Sequence, residues 1–449
     1  MNIFLFVFYA HIPFVKSNDT LINVQAIWRH GVRDFYYCNW GCNSKNKPNG
    51  DAQILTPAGM RQQYVLGKWI RQRYIIDNQL LSSFFNENEI YIESTDYNRT
   101  IMSAYCNLQG MYPQGFEIPN VTEDKLLPPN PGSKSPNIGN YALPYKISLI
   151  PIHTKQEEQD YALAIYCKIT DSIVESNRKT ELYNKINSAT QTQELFKRFN
   201  SELGLIEEKQ VNDIIELAEW RDTFTCNRYN GDNLPQKLSA KTLFYMDQIA
   251  LLSFSLRQFQ NWEQSKLYST PYLKQVIENF DNFINGNSRV KYRGSSSHDS
   301  TMLGIISGLN LTSAQCQADI YLNKSQSDIF CLTENIEFSS NLIFELYNNT
   351  ENGLYVRILY NGKYVPICSQ KGTYCQYDRF KSLVSQQFID YEKECNLIQE
   401  VQREVVYNIP IWSILFFLLV LLCTCGVFIL IFMIKQMKDP ASSDSDISK

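Results

Sequence analysis

A chain of 449 residues that is 44% hydrophobic can bury a sizeable core, as one large domain with a smaller one inserted. Its formal net charge is −4, with both signs interspersed along the chain. No basic stripe is available to neutralise a phosphate backbone, which excludes nucleic acid as a partner.

In chain order, the first feature is an apolar run over residues 3–10, followed by Val15 and Ser17 in the −3 and −1 positions of a cleavage site. A signal peptide over 1–17 is predicted. Residues 21–28 then read as a strand buried on both faces, ending at Arg29-His30-Gly31. A helix follows, with Thr56 as cap, Pro57 in the first turn, and Met60, Tyr64, Gly67, Ile70 and Tyr74 along one face. Arg71 and Arg73 on it read as surface charges. A second strand, 90–93, meets Ser94-Thr95-Asp96 and a helix through Thr100, Ile101, Ala104 and Leu108. His153 reads as a structural hydrogen-bonding residue.

Residues 157–278 are rich in Glu, Lys and Gln, with helical spacing in Leu195, Phe199, Leu203 and in Leu243, Met246, Ile249, Leu252. They are predicted to be a helical insertion. A third unit begins as a strand at 290–292, turns through Gly294 and three serines, and reaches His298-Asp299 and a helix over 301–308. Strands at 342–347 and 353–360 follow, with Asn348 and Asn349 in their turn. Strand-to-helix units of this kind imply an α/β fold with a mainly parallel sheet flanked by helices. The expected division is a large discontinuous domain, 18–156 and 279–400, around the inserted 157–278.

Residues 409–434 carry no ionisable side chain except Cys423 and Cys425. At about 1.5 Å per residue they outreach a hydrocarbon core of roughly 30 Å. Lys435 and Lys438 follow, as a cytoplasmic flank requires. The expectation is a single-pass protein with a lumenal or extracellular body and a short tail, 435–449. Ten of the twelve cysteines lie between the two apolar segments, where disulfides persist. Cys368 with Cys375, and Cys38 with Cys42, could close local loops. No pair has C-x-x-C spacing and histidines are few, so neither a metal site nor a cofactor is expected. Sequons begin at Asn18, Asn98, Asn120, Asn310, Asn323 and Asn348; Asn98, inside a candidate catalytic motif, is expected to stay bare.

His30, His153 and His298 are the histidines left once 1–17 are removed, and two of the three follow a predicted strand. In open α/β sheets ligands bind beyond the carboxyl ends of the strands. Arg29, Arg33, Arg99, His30, His298 and Asp299 would therefore converge on one crevice. Arginine binds phosphate oxygens bidentately and stays charged, while a neutral imidazole can attack phosphorus. Asp299 is the nearest acid for a leaving alkoxide. Small phosphate monoesters are the substrate class this set suits.

These residues carry a resemblance. Arg29-His30-Gly31-Val32-Arg33 matches the R-H-G-x-R signature of the histidine acid phosphatases, and His298-Asp299 their H-D pair. The run from Ser94 to Thr100 looks like the family's S-T-D-x-x-R-T block, and Leu55-Thr56 with Gly59, Leu66 and Gly67 resembles its next helix. The similarity spans about 21–395. It implies His30 as nucleophile, Asp299 as proton donor, and Arg29, Arg33, Arg99 and His298 as phosphate ligands. It also implies homodimers and bridges Cys167–Cys395, Cys226–Cys316 and Cys368–Cys375, while Cys38, Cys42, Cys106 and Cys331 depart from the family and leave the full set open. The need for a protonated Asp299 and an acidic compartment point to an acid optimum, and the two apolar segments to a lysosome-like compartment or the cell surface. Two alternatives stand beside it: a narrower phosphatase for inositol polyphosphates or lysophospholipids, and a non-catalytic binding protein of the same fold.

Overall fold

The computed structural model describes residues 19–35, 53–324, 330–369 and 372–397, with Leu430, Ile431, Met433 and Ile434. The signal peptide, Asn18, Cys38, Cys42, the tail and nearly all of 409–434 lie outside them. Among the described residues no helix is long and apolar enough to cross a membrane. The described residues up to Tyr391 form one compact unit, which holds the sheet and its flanking helices.

Strand β1 (Asp19–Arg29) is followed by α1 (Pro57–Arg71), β2 (Ile90–Thr95), α2 (Asn98–Met111) and the short β3 (His153–Lys155). Six helices come next: α3 (Thr170–Asn177), α4 (Glu181–Asn187), α5 (Thr190–Leu203), α6 (Ile214–Asn230), α7 (Ala240–Gln258) and α8 (Trp262–Ile284). The chain returns through β4 (Tyr292–Ser297), α9 (Asp299–Gly308) and α10 (Ala314–Tyr321) to β5 (Asn341–Asn349) and β6 (Gly353–Tyr360). It closes with β7 (Lys363–Tyr364), β8 (Cys375–Gln376) and α11 (Tyr377–Ser385).

The sheet order is β3-β2-β4-β1-β5-β6-β7, with β8 also on β6. Pairings among β3, β2, β4 and β1 are parallel; those from β1 to β5 onward are antiparallel. The sheet is thus mixed rather than mainly parallel. After α10 no further crossover helix intervenes, so β5 and β6 join as a hairpin. Its turn lies beyond Asn348 and Asn349, which belong to β5; the Asn349 side chain accepts from the amides of Glu351 and Asn352.

Alternate residues of β1 (Val24, Ala26, Trp28) bury against α1 and α2 through Leu66, Ile70, Ala104 and Leu108. On the other face Phe344 of β5 packs on Tyr272 of α8 and Phe380 of α11. Helices α4 to α7 share a separate apolar cluster built on Phe199, Trp220, Phe224, Met246 and Leu252. Helices α3 to α7 lie within residues 157–278, and α8 runs on to Ile284.

Three local expectations are corrected. Thr56 does cap α1, accepting from the Gly59 amide, but the buried face is Gly59, Gln63, Leu66, Gly67 and Ile70, with Tyr64 turned outward. Gly67 lies against the Asn107 backbone, where a Cβ would collide, so α1 and α2 approach through glycine. Gly294 and the serines after it form β4 rather than a turn. Ser295, Ser296 and Ser297 donate to Glu93, to the Thr100 carbonyl and to the Trp28 carbonyl, which satisfies hydroxyls buried mid-sheet. Arg73 is not a solvated charge. It donates to the buried Glu345 carboxylate at 2.6 and 2.9 Å, beside the Tyr74 and Tyr347 hydroxyls, each at 2.8 Å. Burial opposes the Arg73 charge, yet Glu345 raises its pKa above the ordinary value. Replacing Arg73 with Ala strands that carboxylate, and should lower stability by about 3 kcal/mol, read as a shift of the urea midpoint.

Cys316 bonds to Cys331, their Cα atoms 6.2 Å apart, and Cys368 bonds to Cys375. Cys226 is a free thiol buried beside Val32, Phe35 and Phe338, so the Cys226–Cys316 bridge is overturned. The cause is position: Cys316 opens α10, whereas Cys226 sits in α6 beneath Arg33. Cys167 and Cys395 are each disulfide-bonded. His153 is exposed and stacks its ring on Tyr91 at 4.6 Å. Asn98, Asn120, Asn310, Asn323 and Asn348 are all exposed.

Candidate active site

Parallel pairing sets β1 and β4 side by side with Arg29 opposite Ser297. The next residue on each strand is therefore a histidine, and the His30 amide donates to the Ser297 carbonyl at 2.9 Å. The two imidazoles lie edge to face with centroids 5.5 Å apart. The loop after β1 can turn there because Gly31 rests directly on the backbone of Gly59, where a side chain would not fit. Helices α2 and α9 begin at this same end of the sheet, so two positive helix N-termini face the crevice.

His30 is 3% exposed. Its Nδ1–H donates to the Gly31 carbonyl at 2.7 Å, which leaves the lone pair on Nε2. Burial, then Arg29 and Arg99, push its pKa well below the ordinary 6.5. His298 is depressed likewise by burial and by Arg99 and Arg29. Thr95 spends its hydroxyl proton on Thr100 at 2.8 Å, so it accepts from His298 Nε2–H at 3.0 Å. The Nδ1 of His298 then accepts from Arg99 Nη2 at 3.4 Å.

The guanidiniums differ in their partners. Arg29 donates to the Ile336 carbonyl at 2.7 Å, pairs with Asp299 at 2.7 Å, and lies 4.2 Å over the Phe338 ring. Arg33 pairs with Asp222 at 2.9 Å and reaches Cys226 Sγ at 3.3 Å. Burial opposes its charge, but Asp222 holds its pKa above the usual value. Arg99 stacks over Tyr97 at 4.6 Å, and its hydrogen-bond partners among the described residues are the neutral Gln53 and His298. Burial and the nearby Arg33 push it down to about 10.

All six residues expected from the sequence thus meet in one place. Three others were missed. Asp222 arrives from α6 with no motif around it. Phe338, also against the His30 ring at 5.8 Å, comes from the loop before β5. Tyr97, edge-on to His298 at 5.1 Å, lay unmarked inside the block from Ser94 to Thr100. A cavity of about 400 Å³ adjoins the site between α6 and α7, lined by Arg29, Arg33, Asp222 and Asp299 and by the apolar Ala218, Leu251 and Phe254. Among the described residues no three His, Cys, Asp or Glu side chains are grouped as metal ligands would be.

The profile of the histidine phosphatase superfamily (branch 2) matches residues 37–361. The chain belongs to that superfamily. Its relatives are named acid phosphatases, and it is a phosphoric monoester hydrolase of the histidine acid phosphatase family. It is 26% identical to lysosomal acid phosphatase from Xenopus laevis, over 92% of this chain and 87% of that one. It is also 26% identical to the human lysosomal acid phosphatase, over 89% and 86%. A Caenorhabditis elegans protein is 27% identical over 68% of this chain, a match spanning 65% of that relative. Among solved structures, a phytase of Hafnia alvei with tartrate aligns with a TM-score of 0.58 at 14% identity, covering 83% of this chain and 98% of that one. That likeness bears on fold alone.

Proposed function

We propose that the protein is an acid phosphatase that hydrolyses small phosphate monoesters through a phosphohistidine on His30, with Asp299 as proton donor. Arg29, Arg33, Arg99 and His298 bind the phosphoryl group. The observation that carries this reading is the Nδ1–H bond of His30 to the Gly31 carbonyl, which leaves an unprotonated Nε2 among three arginines. In the first step Nε2 bonds to phosphorus as the ester P–O bond breaks, and Asp299 passes its proton to the departing oxygen. Arginine contacts take up the charge spread over the equatorial oxygens. In the second step water attacks the phosphohistidine, giving its proton to Asp299, and inorganic phosphate leaves. The cavity beside Asp299 supplies room for the alcohol part of the ester.

A neutral His30 in mildly acidic surroundings also supports activity that peaks below pH 7. The secretory-pathway location, the signal peptide, the membrane helix over 409–434, the homodimer, the glycans and the inserted-domain boundaries belong to the same proposal. Rapid quenching during turnover, followed by peptide mapping under alkaline conditions that spare phosphohistidine, tests the mechanism. Phosphate on the His30 peptide is the expected result. Phosphate on another residue, or none during a pre-steady-state burst, ends the proposal.

A further inference from the structure

Among the described residues two carboxylates pair with the site's arginines, Asp299 and Asp222, and the mechanism above uses one. Asp222 Oδ2 lies 2.9 Å from Arg33 and its Oδ1 3.9 Å from Arg29. Both guanidiniums are ones that the phosphate-binding reading assigns to substrate. Asp222 comes from α6, far in sequence from the motif residues, and its side chain is 30% exposed on the wall of the adjoining cavity. Arg33 is thus paired with Asp222 and Arg29 with Asp299, while Arg99 meets the neutral side chains of Gln53 and His298. Removing the Asp222 carboxylate takes one negative charge off the wall that a phosphate dianion meets.

We propose that Asp222 is an internal anion that competes with the phosphoryl group for Arg33 and Arg29, weakening phosphate binding and speeding product release. A carboxylate and a phosphate share the same bidentate chemistry toward a guanidinium, so each contact Arg33 makes with one is a contact withheld from the other. Like charges a few ångströms apart also repel. Without Asp222, Arg33 would be free to hold inorganic phosphate tightly, and product release would then limit turnover. Asp222 is a tuning residue in this scheme and takes no part in proton or phosphoryl transfer. The proposal rests on Arg29 and Arg33 being phosphate ligands.

The test compares wild type with Asp222→Asn, which keeps an acceptor oxygen for Arg33, and with Asp222→Ser, which removes most of the contact. Inhibition by inorganic phosphate is measured together with KM and kcat for p-nitrophenyl phosphate, and phosphate affinity is measured separately by calorimetry. Both variants should bind phosphate about tenfold more tightly and show a lower KM, with kcat unchanged or reduced. If Asp222 serves instead to aim Arg33, both variants bind phosphate more weakly, and the proposal is overturned. Unchanged affinity overturns it as well. Because calorimetry reads binding without turnover, a failure of the phosphohistidine mechanism is told apart from a failure of this one.

Discussion

Replacing His30 with Ala should lower kcat for any phosphate monoester by on the order of 10⁴-fold or more, the scale of losing a nucleophile that acts as part of a unit. The variant should still fold. The side-chain bond His30 loses is to its own neighbour's carbonyl, and the strand-end backbone bonds to Ser297 and Ser339 remain. It should keep binding inorganic phosphate, since the arginines are untouched. A stopped assay alongside a thermal melt and a phosphate titration separates these effects; loss of phosphate binding in step with activity would point to a collapsed site. The pH dependence of the parent enzyme carries the same information. A histidine with a lowered pKa keeps its lone pair until the pH falls through that lowered value. The acid limb of kcat/KM that belongs to free His30 should therefore sit well below pH 6.5. An acid limb at 6.5 or above would mean that the nucleophile is solvated, or is another group.

The ends of β1, β2 and β4 were legible in the sequence because each breaks from strand-like residues into groups that need a ligand or a helix cap: Arg29-His30, Ser94-Thr95-Asp96 and His298-Asp299. The body of β4 was not. Three consecutive serines resemble a turn until neighbouring strands supply acceptors for their hydroxyls, and that supply is a property of the assembled sheet. Glu345 and Arg73 lie 272 positions apart, so nothing local marks either as half of a buried pair. Asp222 is a harder case. On a helix it reads as a solvated charge, and only the folding of α6 against the loop after β1 turns it toward Arg33. Cys368 and Cys375 do bond, but the Cys226–Cys316 pairing failed for a similar reason. Cys316 can reach Cys331 because of where α10 begins, and spacing in the chain does not contain that information.

Asp299→Asn should separate substrates by their leaving groups. Asparagine keeps one acceptor oxygen, which can hold Arg29 in place, and gives up the bond that the other carboxylate oxygen takes from the Ser300 amide. What it lacks is a proton to give. An alkyl phosphate, whose departing alkoxide is strongly basic, should lose about 10²- to 10⁴-fold in kcat/KM. An activated aryl phosphate, whose phenolate departs without help, should lose little in the first step. The slope of log kcat/KM against leaving-group pKa should therefore steepen in the variant. Equal losses for both substrates would assign Asp299 to holding Arg29 rather than to moving a proton. Asp222→Asn supplies the contrast, since removing that carboxylate should change phosphate affinity and leave the leaving-group slope alone. If the two variants behaved alike, the division of labour between the carboxylates would be wrong, even though both touch the same guanidinium.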